Sequence, residues 1–197
     1  MLCNVSEISQ KKNIITIAGK PGSGKSTTAN ASARILGYER FSSGDLMRAI
    51  AKRRNLTLEE LSHIAESDHS IDEEIDESLR LIGKTKEKMI IDSRLAFHWI
   101  PDAFKVYLEL DLAIAAQRIF NENNDARKAS GETAETVNQM CDSLAHRLAS
   151  EQKRYYASYQ IDPYNATHFD LVLDTSHNSP EHVAMLVVEA YRKWLEA

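Results

Sequence analysis

The stretch GKPGSGKST, residues 19–27, follows directly on NIITIA at residues 13–18. NIITIA is β-branched and almost continuously apolar, the pattern of a strand buried on both faces. Residues 26–36 have a helical pattern that ends at Gly37. A buried strand, a glycine-rich turn and a helix in that order leave few folds open. Gly19, Gly24, Lys25 and Ser26 satisfy G-x-x-x-x-G-K-[ST], in the strand-before, helix-after context that this motif requires. Glycines at 19, 22 and 24 let successive backbone N–H groups converge on phosphate oxygens, with Ser23 and Thr27 in the same cradle. The helix start adds its positive dipole end. Lys25 is expected to reach the β- and γ-phosphates of a nucleoside triphosphate, and the Ser26 hydroxyl to help hold Mg²⁺.

Further strands are predicted at 38–41, 88–92, 104–110 and 169–174, those at 88–92 and 104–110 buried, and helices at 43–54, 58–66, 71–84, 111–123, 132–160 and 179–195. TLEE (57–60) and SIDE (70–73) both fit a capping box, and Ser179-Pro180 reads as an N-cap followed by proline at the first helical position. Strands that alternate with helices imply an α/β fold with a parallel sheet covered on both faces. With 197 residues, 43% of them hydrophobic, one domain over 1–197 is expected.

The net charge of -5 argues against a nucleic-acid partner. Cys3 and Cys141 suit neither a disulfide framework nor a zinc site. No segment has the roughly 20 apolar residues of a membrane helix, and the first residues lack the apolar core of a signal peptide. A reduced cytoplasmic setting without membrane attachment is the expectation, with the chain a monomer or weak dimer.

The phosphate loop alone does not separate a kinase from a switch GTPase or a mechanical ATPase. The N-K-x-D element by which switch GTPases read their base is missing. The strand at 88–92 ends in Asp92-Ser93-Arg94, where a mechanical ATPase places Asp-Glu. An Asp at a strand end can orient Mg²⁺ or its water, and an Arg two residues on points to a second anion beside the metal. Two phosphates held face to face is the requirement of a small-molecule or nucleotide kinase. Downstream of the second strand, FSSGDLMR places Arg48 three residues after Asp45 on one helix face. The ordinary reading is a surface ion pair. The functional one is that Arg48 and Arg94 clamp the acceptor's phosphate with planar forks, beside Ser43 and Asp45.

Taken together, GKPGSGKSTTA, SSGDLMR, LEELSHIAESDHSIDEEID, IIDSRLA, FKVYLEL, SEQKRYYASYQID and FDLVLDTS resemble the short, archaeal-type cytidylate kinases among the P-loop nucleoside monophosphate kinases. The resemblance runs from about residue 13 to 179. It implies a three-layer P-loop NTPase fold with a five-stranded parallel sheet. It also implies a helical acceptor-binding segment at about 42–86, a small lid at about 118–150, ATP as co-substrate and CMP or dCMP as acceptor. By matching positions it gives Arg48 and Arg94 the acceptor phosphate, Arg118 a lid contact with ATP, and the loop 174–177 a place beside the adenine. Arg147 and Arg154 match arginines that lean onto the transferring phosphoryl group. The alternative for that pair is two exposed arginines matched with Glu151. Asp92 is expected to orient metal-bound water or the acceptor.

The chain departs from the family pattern in two places. Ala115 and Glu122 stand where arginines are usual on the first lid helix, with Arg127 as a possible substitute. RLAFHW replaces something closer to R-L-A-G-W and adds bulk beside Arg94, which makes Trp99 a candidate for acceptor contact. For the base, Asp72 and Asp76 lie four apart on one helix face. Either can accept from an exocyclic amine, or both can belong to a solvated face; Tyr155, Tyr156 and Tyr159 read as packing. A P-loop kinase for another nucleotide or small-molecule acceptor, or a non-catalytic nucleotide-binding protein, are the alternatives at this level.

Overall fold

A computed structural model describes residues 11–122 and 134–197. Within the expected lid at about 118–150, residues 123–133, with Arg127, lie outside the described residues, as do Cys3 and the N-terminal stretch. Five strands form one parallel sheet: β1 (Ile14–Gly19), β2 (Glu39–Ser42), β3 (Met89–Asp92), β4 (Phe104–Glu109) and β5 (Leu171–Asp174), in the order β2-β3-β1-β4-β5. Central β1 and β3 are buried along their whole length, while edge strand β5 alternates between half-buried and exposed. This is the difference between covered and edge positions in a parallel sheet.

Because side chains alternate along a strand, β1 feeds two cores. Ile15 and Ile17 pack with α1 (Lys25–Leu36) and the C-terminal α8 (Pro180–Glu196), through Ala29, Ala33, Val183, Val187 and Tyr191. Ile14 joins Met89, Ile91 and Leu79 on the opposite face, where α4 (Ser70–Thr85) and the short α5 (Ala96–Trp99) lie. Helices α2 (Ser43–Arg54), α3 (Leu58–Ile64) and α4 build a third small core around Ile50, Leu61 and Ile71. Helices α6 (Leu112–Asn121) and α7 (Val137–Tyr159) share a fourth through Ala115, Ile119, Met140 and Leu144. The α2–α4 segment and the α6–α7 pair therefore each carry their own apolar contacts around a common sheet.

Local chemistry sets most of the boundaries. The TLEE capping box forms, with Thr57 and Glu60 bonded reciprocally. Ser179 caps α8 by accepting from His182 N, with Pro180 at the first position. The SIDE box does not form: Asp68 accepts from both the Ser70 backbone N–H and its hydroxyl, so Ser70 is the first helical residue and not the cap. An Asp that bonds two residues ahead outcompetes the hydroxyl. The second strand begins at Glu39, one residue later than predicted. Gly37 closes α1 in the left-handed region, and Tyr38 N is used on Ala33 O. The helix α5 and a 3-10 turn at Ala166–His168 were not predicted, since neither is long enough to show a period.

Gly19 joins β1 to the loop at φ 146°, and a Cβ there would lie 2.5 Å from Leu108 O of β4. The sheet cannot move that carbonyl without losing register. Gly19→Ala is expected to destabilise the fold by about 2 kcal/mol or more, read as a lower urea midpoint with an unchanged slope.

Candidate active site

The loop 19–24 wraps the carboxyl end of β1, with Gly22 at φ 77° and Gly24, the N-cap of α1, at φ 83°. These left-handed turns aim successive backbone N–H groups to one side, as an anion nest does. A cleft of about 430 Å³ opens there, bordered by the loop, Lys25, Ser26, Thr27, Arg40, Asp45, Asp92 and Glu122. Lys25 Nζ donates to Lys20 O at 2.8 Å. Burial and then the neighbouring Arg94 lower the Lys25 ammonium to about 7, against the opposing pull of Asp92 and Glu151. Ser26 Oγ donates to Asp92 Oδ2 at 2.6 Å, which brings an exposed hydroxyl and a buried carboxylate together at the ends of α1 and β3. Arg40, on β2, reaches the same Asp92 oxygen at 3.2 Å and Asp45 Oδ2 at 3.2 Å.

A second, smaller cavity of about 50 Å³ lies beneath α2, α3 and α4. Met47, Leu58, Ile75 and Leu79 supply apolar walls, and Asp72 and Asp76 also line it. Ser43, Gly44, Arg48, Ser93, Arg94 and Arg147 border both cavities. Three arginines from three separate elements therefore meet at the seam. Glu151, buried on α7, pairs with Arg94 at 2.6 Å and Arg147 at 3.1 Å, and accepts from the Tyr164 hydroxyl. Burial alone would raise that carboxyl, but Arg94, Arg147 and the Tyr164 bond hold it at about 2. Glu151 is thus charged across the physiological range and stays between the two guanidiniums.

The structure rearranges several expected roles. Arg154 is buried, pairs with Asp72 at 2.8 Å and borders the smaller cavity, which Arg147 also borders, but not the phosphate cleft. Seven residues along a helix is about 10.5 Å, so Arg147 reaches the phosphate cleft while Arg154 stays at the far end of the shared cavity. Arg118 donates to Thr175 O at 2.6 Å and Ser176 O at 3.0 Å, tying α6 to the loop after β5 instead of bordering the phosphate cleft. Trp99 borders neither cavity; its indole N–H donates to Asp76 Oδ1 at 2.8 Å from behind. Ala115 is fully buried and lies against the loop, its atoms 3.1–3.2 Å from where a Cβ on Gly22 would stand. Arg48 pairs with Asp45 and also borders both cavities, so the ion-pair and clamp readings describe the same side chain.

Asp72 and Asp76 are both buried, which corrects the solvated-face reading. Burial raises Asp72 to about 6 against the pull of Arg154. Arg40 and Tyr164 escaped sequence reasoning. An arginine inside a strand pattern signals Arg40 weakly, and nothing near Tyr164 signals its bond to Glu151.

A glycine-rich loop on a central parallel strand, a hydroxyl–carboxylate pair beside it and a second cavity joined through arginines define a P-loop kinase-type protein. Solved structures of similar fold include a shikimate kinase from Bacteroides thetaiotaomicron, with a TM-score of 0.61 and 16% identity over 93% of this chain and 98% of that one. An uncharacterised protein from Eubacterium ventriosum has a TM-score of 0.64 and 12% identity over 94% and 99%. Residues 14–177 match the cytidylate kinase-like family. The cytidylate kinase of Natronomonas pharaonis is 37% identical over 181 residues, covering 90% of this chain and 88% of the relative. That of Halobacterium salinarum is 34% identical over 180 residues, again covering 90% and 88%. The chain belongs to the cytidylate kinase-like family.

The lowered Lys25 gives a pH-dependent prediction. Its folded value, about 7, lies below its unfolded value, so the unfolded chain binds more protons between pH 7 and 10.5. The cost of holding this ammonium is full below pH 7 and fades as pH rises toward 10.5. Lys25→Met should raise the Tm of the ligand-free protein at pH 6.5 by about 2–4 °C. The gain should shrink by pH 9.5; a gain that is flat with pH would contradict the assignment.

Proposed function

We propose that the protein is a nucleoside monophosphate kinase that transfers the γ-phosphoryl group of ATP to CMP or dCMP, giving CDP or dCDP. The observation that carries this reading is the seam: two cavities, one at the phosphate loop and one beneath the acceptor-binding segment, share Arg48, Arg94 and Arg147. A phosphoryl group moving between two bound phosphates needs positive charge at its midpoint, in a site that excludes water.

In this reading the loop N–H groups and Lys25 hold the donor's β- and γ-phosphates. Proton uptake by Lys25 on binding restores its full charge next to those phosphates. Arg94 and Arg48 fix the acceptor phosphate, with Ser43 and Asp45 beside them. Arg147 completes the clamp from α7, and Arg154 acts on the acceptor side through Asp72. The acceptor oxygen is already ionised, so no strong general base is required. Hard oxygen donors suit Mg²⁺, and Ser26 with Asp92 supplies a hydroxyl and a carboxylate at 2.6 Å from each other. Among the described residues no group of three or more His, Cys, Asp or Glu could hold a metal. A cation at Ser26 and Asp92 would thus take its other ligands from water and the nucleotide, as Mg²⁺ commonly does. When bound, it neutralises charge on the transferring phosphates.

No helix of the described residues is long and apolar enough to cross a membrane. A net charge of -5 fits a protein that handles free nucleotides and not nucleic acid. We read it as a cytoplasmic monomer or weak dimer.

The test is ADP release with ATP, Mg²⁺ and a panel of acceptors. CMP and dCMP should stimulate it strongly, and no stimulation by CMP, dCMP or UMP would refute the reading. Lys25→Ala should lower kcat by roughly 10³-fold with the fold intact. Arg94→Ala should chiefly raise the KM for CMP, by about 10-fold or more, and leave that for ATP within about twofold. Equal shifts in both KM values would remove Arg94 from the acceptor side.

A further inference from the structure

The smaller cavity carries a second buried carboxylate whose surroundings differ from those of its neighbour. Asp72 is matched by the guanidinium of Arg154. Asp76, one turn along α4 and 3% exposed, accepts hydrogen bonds from neutral donors, Trp99 Nε1–H on Oδ1 at 2.8 Å and the Tyr159 hydroxyl on Oδ2, while Arg80 and His98 act on it only through their charge and without contact. Among the described residues it forms no ion pair. Leaving a buried carboxylate without a cationic partner is costly, and such groups are concentrated where something is bound. Each carboxylate oxygen can accept two bonds, so one bond on each leaves room for an incoming N–H.

The braces come from two distant segments, α5 and the end of α7. The Arg80 guanidinium stacks 3.8 Å from the centre of the Trp99 ring, and Tyr159 meets that ring edge-on at 5.6 Å. The indole cannot turn away without breaking both contacts. Burial raises the Asp76 carboxyl, but the Tyr159 and Trp99 donors favour its ionised form. Ile75, Leu79, Met47 and Leu58 give the cavity apolar wall, beside Asp72 and the arginines that line the rest. Apolar wall beside a fixed acceptor that lacks a paired guanidinium suits a flat ring that bears an amine.

We infer that Asp76, held by Trp99 and Tyr159, reads the exocyclic amine of the acceptor base and so selects an amino-pyrimidine over its oxo counterpart. The inference rests on the kinase reading above. Cytosine presents an N–H donor to the carboxylate, whereas uracil presents a carbonyl oxygen at the same position. Two acceptors facing each other in a dry pocket reject the wrong base through an unmet desolvation cost and repulsion. Trp99 and Tyr159 are positioning residues in this scheme. The RLAFHW stretch then has a purpose: it brings an indole N–H up behind the carboxylate.

The experiment compares kcat/KM for CMP and UMP at saturating ATP. The wild type should favour CMP by roughly 10²-fold or more, as sites built around one hydrogen bond do. Asp76→Asn, whose amide can turn its NH₂ toward a carbonyl, should reduce that ratio by at least about 10-fold. Tyr159→Phe and Trp99→Phe keep the carboxylate but loosen it, and each should lower the ratio several-fold with the ATP KM unmoved. A purely structural role would lower both activities together and leave the ratio alone. CMP turnover by Asp76→Asn with the ratio within twofold of wild type, or equal use of CMP and UMP by the wild type, would overturn the inference. Should Asp76→Asn fail to fold, the two brace variants carry the same readout. Should the wild type phosphorylate neither acceptor, the kinase reading fails by itself. Calorimetric affinities for CMP and UMP in the presence of Mg²⁺ and a non-hydrolysable ATP analogue then decide the role of Asp76, equal affinities refuting it.

Discussion

Cations gather where the parallel strands end, and their mutual repulsion has to be contained before any ligand arrives. Lys25, Arg40, Arg48, Arg94 and Arg147 all border one cleft. The pressure is visible on Lys25, whose ammonium is weakened by Arg94 as well as by burial. Carboxylates placed between them make the arrangement tolerable: Asp92 and Asp45 for Arg40, Asp45 for Arg48, and Glu151 for Arg94 and Arg147. Breaking a buried pair by removing one partner is far more costly than its net contribution, so the carboxylates are as necessary to the folded state as the arginines are to anion binding.

The strand order explains why these groups can meet at all. β1 lies between β3 and β4, and β3 lies between β1 and β2. The ends of β1, β2 and β3 therefore deliver Gly19, Ser42 and Asp92 side by side, although they are far apart in the chain. Crevices outside the carboxyl ends of strands are the usual ligand sites of open parallel sheets. Here the connection after β2 supplies α2–α4, and α7, far along the chain, contributes Arg147, Glu151 and Arg154.

Much of this was legible in the sequence because local chemistry decided it. The glycine motif after a β-branched run, the Thr57–Glu60 box and Ser179-Pro180 each act over a few residues, and each forms as expected. Strand identities followed from continuous apolar runs. What escaped was set by long-range pairing. A charged helix face around Asp72 and Asp76 reads as solvated until α5 and α7 are packed over it. Glu151 seems the natural partner of both Arg147 and Arg154 by helical spacing, yet Arg94, from a different element, takes one of its oxygens and Asp72 takes Arg154. Arg118, given a lid contact by the family resemblance, donates to two carbonyls after β5, a partner choice that no local pattern signals. Helical periodicity gives the face a residue occupies; it does not name the partner.

Helix α7 is 23 residues long and unbroken. It has Arg147 at the seam between the cavities and Tyr159 against Asp76, with the two points about 18 Å apart along its axis. A rod of this kind works as a ruler. Its two graduations are read at once, so a displacement that spoils one spoils the other. A shift of α7 is thereby felt together at the Arg147 seam and at the Asp76 carboxylate.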